Sequence, residues 1–251
     1  MHKKISISAI IISFFICLLF LLFWGFHFHI TQPNTQEKLK IALVTSSGEN
    51  KKISIFNKKM GTAIGKKLNK RVIFHTISTT TTVQDMQKYS IIIGLHKKML
   101  NNQELKHSLA YLYIPNELVS LKDKGLSNLS VTTAKIAIVS NLDYPESLTL
   151  SDIKLRLVHE PSAANAVASV ISKKTRAAVI STLDYSNLAS QNIDYLENLK
   201  TNQTNPPISA QSYYIYFNKN TNIKKTLISL QNSQILAKLS FNILGQDYTK
   251  Q

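Results

Sequence analysis

Lys154–Tyr185, KLRLVHEPSAANAVASVISKKTRAAVISTLDY, decides the fold. Lys154–His159 alternates polar and apolar residues of β-prone type, the pattern of a strand with one buried face. Glu160-Pro161-Ser162 ends it, because Pro161 has no N–H for a ladder and Ser162 suits a helix N-cap. Ala163–Lys174 then places Ala166, Val167, Val170 and Ile171 at helical spacing, a stripe that packs on a sheet. Lys173, Lys174 and Arg176 crowd its end, where positive charge suits the helix dipole. Ala177–Ile180 is short and wholly apolar, as a strand buried on both faces requires. Strand, crossover helix and parallel strand make a βαβ unit, whose connection is right-handed in nearly all proteins.

Working outward, Leu39–Val44, Arg71–Ile77 and Ile91–Ile93 read as three strands. A helix is expected over Ser54–Lys70, with Ile55, Phe56, Met60, Ile64 and Leu68 on one side, and a short one over Val83–Lys88. That is a βαβαβ half. Leu109–Leu121 is broken by Pro115, which marks an edge or hinge strand. Lys135–Val139 is a further strand and Glu146–Ile153 a short helix. Asn187–Pro207 is rich in Asn, Thr and Gln and reads as a surface connection. Ser212–Phe217 reads as a return strand, and Ile223–Leu244 as a long amphipathic stretch ended by Gly245.

The order of strand, polar break with Ser162, Ala-rich helix, basic turn, Ala-Ala-Val-Ile strand and Asp184-Tyr185 resembles the second lobe of type 2 periplasmic solute-binding proteins. The resemblance runs from about Leu39 to Tyr248. It implies an α/β fold of two lobes, each a mainly parallel sheet flanked by helices, with lobe 1 formed by residues 31–115 plus 208–251 and lobe 2 by 116–207. The family's Gly-Arg-x-Asp-Ala turn is replaced here by Lys174, Thr175, Arg176 and Ala177, without the Gly or the Asp. Amino-acid-binding members carry an Arg in the first lobe, whereas no Arg stands between Gly94 and Val131. The resemblance then implies a small anionic solute of phosphate or phosphonate type, delivered to an ABC permease. A sensor or scaffold role in an inner-membrane complex is the alternative.

Residues 1–30 precede that fold. After Lys3-Lys4, Ile5–Phe26 carries no charge and is long enough as a helix to cross a hydrocarbon core of about 30 Å. Trp24 to His29 offers no small-residue cleavage site. The expectation is an uncleaved transmembrane anchor in the inner membrane with a periplasmic domain, the alternative being a cleaved signal and a protein free in the periplasm. The sole cysteine, Cys17, lies in this run, so the remaining chain has no disulfide or thiolate metal site.

Lys and Arg outnumber Asp and Glu by 30 to 14, a net charge of +16. Nucleic-acid binding would gather those charges into a stripe with interleaved aromatics. Here the lysines form scattered pairs, such as Lys58-Lys59 and Lys173-Lys174, which are solvated faces, so no nucleic-acid partner is expected. His75, His96, His107 and His159 lack metal-ligand spacing. No nucleophile elbow or phosphate-cradling glycine loop is present, so neither catalysis nor a cofactor is expected.

Ligands of open α/β sheets bind outside the carboxyl ends of the strands. That position selects Ser46 and Ser47 after the first strand, His96 after the third, and Ser140 and Asp143 after Lys135–Val139. Ser162 stands at a helix start, and Ser181 and Thr182 follow the last buried strand. Hydroxyls and free N–H groups at helix starts suit an anion.

Overall fold

Runs of β-branched residues build two five-stranded sheets in the computed structural model, which describes residues 37–46, 48–96, 107–123, 135–139, 156–191, 196–202, 208–217 and 222–250, with Ile16 and Leu18. The strands are β1 (Lys38–Thr45), β2 (Arg71–Ser78), β3 (Ile91–His96), β4 (Leu112–Ile114), β5 (Asn116–Leu121), β6 (Lys135–Val139), β7 (Arg156–Glu160), β8 (Ala177–Ser181), β9 (Leu199–Asn202) and β10 (Gln211–Phe217). The first sheet has the order β2-β1-β3-β10-β4 and the second β7-β6-β8-β5-β9. In each, three strands run parallel and the fourth is antiparallel to its neighbours, so both sheets are mixed.

Helix α1 (Lys51–Lys67) buries Ile53, Phe56, Met60 and Ile64 on the first sheet. Asn50 caps it, its Oδ1 accepting from the Lys52 N–H at 3.0 Å. The helix therefore begins three residues before the expected Ser54, and Ile55, expected in the core, is 50% exposed. Short helix α2 (Val83–Met86) is capped by Thr82 and lies over the other face of that sheet, where Met86 packs near Val44, Ile77 and Leu95. On the second sheet, α3 (Ala163–Ile171) presents Ala163, Ala166, Val167 and Val170 to Ile136–Val139 and Ala177–Ile180. Its small residues let the helix sit close to the sheet.

Two expectations change. The polar stretch Asn187–Pro207 contains the end of α4 (Thr182–Gln191) and edge strand β9, which Asn202 ties to β5 through the Leu118 carbonyl and Ser120 Oγ. The long C-terminal stretch is two helices, α5 (Ile223–Asn232) and α6 (Ile235–Leu244), broken where Gln234 takes a left-handed φ of 57°. Leu227, Leu230, Leu236 and Leu244 from both join the first core. Leu109–Leu121 divides at Pro115, as a hinge would, into β4 at the edge of the first sheet and β5 in the interior of the second. The helix expected over Glu146–Ile153 lies outside the described residues.

The chain passes between the lobes twice, at Pro115 and between β9 and β10. The two passages are joined where Asn116 Nδ2 donates to the Ser209 carbonyl at 2.7 Å. Met1–Glu37 forms a unit of its own, described only at Ile16, Leu18 and Glu37, so the expected anchor lies outside the described residues. Among the described residues no helix is long and apolar enough to cross a membrane.

Phe56 is fully buried and stacks on Tyr111 with ring centroids 6.2 Å apart. Phe56→Ala should cost about 3–5 kcal/mol. A denaturant titration should show the loss as a lower midpoint with little change in slope.

Candidate functional site

The carboxyl ends of β1 and β3 in lobe 1 meet the ends of β7 and β8 in lobe 2, and this seam is the candidate site. From lobe 1, β1 ends in a turn in which the Glu49 N–H donates to the Ser46 carbonyl at 3.2 Å. Gly48 takes a φ of +78° in that turn, and a Cβ there would collide with the Pro161 carbonyl oxygen. Only a glycine lets this turn approach the loop between β7 and α3 so closely.

The next residues carry the polar contact between the lobes. Asn50 Nδ2 donates to Asp184 Oδ1 at 3.0 Å. Asp184 is held in turn by Ser181, whose Oγ donates to Asp184 Oδ2 at 2.7 Å and accepts from the Asp184 N–H at 3.0 Å. Ser181 is thereby the cap of α4, and one hydroxyl fixes both the helix start and the carboxylate. Beside this contact, Thr182 donates its N–H to the Pro115 carbonyl at 2.9 Å, and its Oγ1 lies 3.4 Å from the Tyr248 hydroxyl.

Glu49 turns its carboxyl inward. Burial pushes it up to about 7, and the Asp184 charge acts in the same direction; hydrogen bonds with the Ser46 backbone and Tyr213 only partly offset them. Its Oε1 has no hydrogen-bond partner among the described residues. Burial also raises Asp184, against the hydrogen bonds from Ser181 and Asn50. Behind Glu49, Tyr111 is fully buried and donates to Asn57 Oδ1 at 2.8 Å. Burial and the Glu49 charge both push its hydroxyl well above the usual range. His96 is buried at the end of β3, with Nδ1 3.2 Å from Gln211 Nε2 and its ring 4.8 Å from that of Tyr213.

Of the residues selected from the sequence, Ser46, His96, Ser181 and Thr182 lie in or beside this cluster. Ser162 caps α3, its Oγ accepting from the Asn165 N–H and donating to Asn165 Oδ1, so its hydroxyl is already engaged. Ser47, Ser140 and Asp143 lie outside the described residues. Sequence reasoning missed Glu49, Asn50, Tyr111, Asp184 and Tyr213 as site residues. Glu49 and Asp184 each stand within four residues of a strand's carboxyl end, a signal present in the sequence and passed over in favour of hydroxyls. The expected phosphate or phosphonate finds no support among the groups at the seam: two carboxyls face it, and no described ion pair supplies either with a cation. A phosphate would add negative charge where negative charge is already costly.

A cavity of about 540 Å³ lies away from the seam, in lobe 1 between α5 and the segment entering β4, lined by Leu109, Tyr111, Phe217, Leu227 and Ile228 with Lys224. It holds none of the residues selected from the sequence. Among the described residues, no group of three His, Cys, Asp or Glu side chains could hold a metal ion.

No family model matches the sequence, and no curated protein matches it. Solved structures do match in shape. The probable amino-acid ABC transporter extracellular-binding protein ytmK of Bacillus subtilis superposes with a TM-score of 0.64 at 16% identity, over 85% of this chain and 100% of that one. The chain has the fold of the type 2 periplasmic solute-binding proteins. The L-cystine solute receptor of Neisseria gonorrhoeae, in its unliganded open conformation, gives 0.58 at 15% identity over 88% and 99% of the two chains. A histidine kinase sensor domain with similarity to periplasmic binding proteins gives 0.62 at 14% identity over 84% and 98%. In the type 2 fold the seam between the lobes is the cleft, which is where Glu49 and Asp184 stand.

Gly48→Ala should separate the turn from Pro161 while leaving each lobe's core intact. Small-angle scattering should report a larger radius of gyration, with an unchanged far-UV circular dichroism spectrum.

Proposed function

We propose that the protein captures a small amine-bearing solute, an amino acid or a close chemical relative, between its lobes. On this reading it hands the solute to an ABC-type importer in the inner membrane, with residues 1–30 anchoring it there and the lobes in the periplasm. The observation that supports the solute class is the pair Glu49 and Asp184 at the seam, half-buried, with Glu49 Oε1 shut from water and neither carboxyl given a described cationic partner. An ammonium group entering there would satisfy Glu49 Oε1 and relieve the repulsion between the two carboxyls. The transporter protein of B. subtilis and the cystine receptor, whose names concern amino acids, agree with that class.

A sensor or scaffold is the second reading. The resemblance to a kinase sensor domain favours it, as does the direct Asn50–Asp184 bond, which joins the lobes through protein groups alone.

The test is a thermal-shift and calorimetry panel on the full-length protein, with amino acids, small amines, phosphate, phosphonates and carboxylates. A solute at a hundred times its Kd should add about 2.7 kcal/mol to stability. Binding of an amine-bearing compound, weakened at least tenfold by Asp184→Asn, supports the proposal. Binding by phosphorus compounds alone overturns it. Cooperative melting with no shift from any compound moves the assignment to the sensor.

A further inference from the structure

We propose that the seam is a proton-sensitive latch: in the absence of solute, the lobes close when Glu49 carries a proton and part when it loses it. This goes beyond solute capture and does not depend on the identity of any solute.

The geometry places Glu49 between two residues that touch the other lobe. Gly48 lies against Pro161, and Asn50 is bonded to Asp184. The carboxyl lies between those contacts, with its Oε1 shut away from water where the lobes meet. The groups acting on it come from each element around it. Asp184 lies on α4 in lobe 2, Tyr213 on β10, and the Ser46 backbone at the end of β1. Tyr111, just before β4, feels its charge, and His96 on β3 lies behind Tyr213. Lys51 and Lys52, at the start of α1, are exposed, and no lysine or arginine is among the groups acting on the carboxyl. An ionised Glu49 in the closed form therefore faces a second carboxylate and leaves Oε1 without a hydrogen-bond partner among the described residues. A protonated Glu49 removes the like-charge repulsion.

The direction follows from linkage. With the lobes in contact, burial and the Asp184 charge hold the carboxyl at about 7 against its ordinary 4.5, so this form binds the proton more tightly than a carboxyl in water does. The state that binds the proton more tightly is favoured at low pH and loses that advantage as pH rises through about 7.

The experiment measures the distance between the lobes by electron spin resonance on the full-length protein, without solute. Labels are placed at Lys59→Cys on α1 and Ala168→Cys on α3, both exposed positions, in a Cys17→Ser background. At pH 5.5 a short distance should dominate. At pH 8.5 a longer one should gain at its expense, with the ratio of the two changing tenfold or more. Glu49→Gln, close in shape and unable to ionise, should keep the short distance at both pH values. Identical distributions at pH 5.5 and 8.5 overturn the proposal. So does a Glu49→Gln protein that still shifts with pH, because the sensor is then another group, His96 foremost. Solute binding that persists alongside either result leaves capture standing and removes the latch alone.

Discussion

The burial of carboxyl groups where the lobes meet constrains everything else at the seam. A carboxylate taken out of water costs several kcal/mol unless hydrogen bonds or a cation compensate. Asp184 has compensation: Ser181 and Asn50 both donate to it, one from its own lobe and one from the other. Glu49 has less, with one oxygen left unsatisfied among the described residues. The two acids thus play different parts. Asp184 joins the lobes through Asn50, while on the proposed reading Glu49 makes their meeting depend on what neutralises it, a proton or the positive end of a solute.

The fold supplies the precision this requires. Asn50 is both the cap of α1 and the donor to Asp184, so the start of that helix is tied to the other lobe. Ser181 is both the end of β8 and the cap of α4, which fixes the Asp184 side chain relative to the second sheet. Each polar contact is made at the junction of a strand and a helix, backed by a dry core: Phe56, Met60 and Ile93 behind the first junction, Val179 and Ile180 behind the second. The seam can open or close as a change between rigid bodies because its residues are anchored in elements that do not need to rearrange.

Much of this scaffold was legible in the sequence. Ala177–Ile180 could only be a buried strand, and Ala166, Val167 and Val170 could only face a sheet. Their spacing therefore revealed the βαβ unit, and the two-lobed class followed from the resemblance of the element order to type 2 solute-binding proteins. The edge strand Leu199–Asn202 was hidden because an edge needs no apolar run; its pairing rests on backbone groups and on the Asn202 amide. The break at Gln234 was hidden for a different reason. Its left-handed backbone is imposed by the packing of Leu230 and Leu236 into one core, and no glycine or proline announces it. In the site, position after a strand found Ser46, His96, Ser181 and Thr182. The acids were passed over because the sequence does not say that Glu49 turns inward, and a surface glutamate in a loop looks the same.

The overall charge sharpens the meaning of the buried acids. The chain carries a net +16, and the described members of the lysine pairs, Lys51-Lys52, Lys58-Lys59 and Lys173-Lys174 among them, are exposed. Such a field favours ionised carboxylates, so on charge alone Glu49 ought to sit low. It is raised instead, which means that local desolvation outweighs the distant lysines, as expected when a Debye length of about 8 Å screens exposed charges at physiological salt. The same contrast bears on solute entry. The proposed amine would meet repulsion outside and attraction only once between the lobes. On that basis affinity for an amine rests on slow release from the closed seam more than on fast arrival, and high salt, by screening the lysines, should hasten arrival without loosening what Glu49 and Asp184 hold.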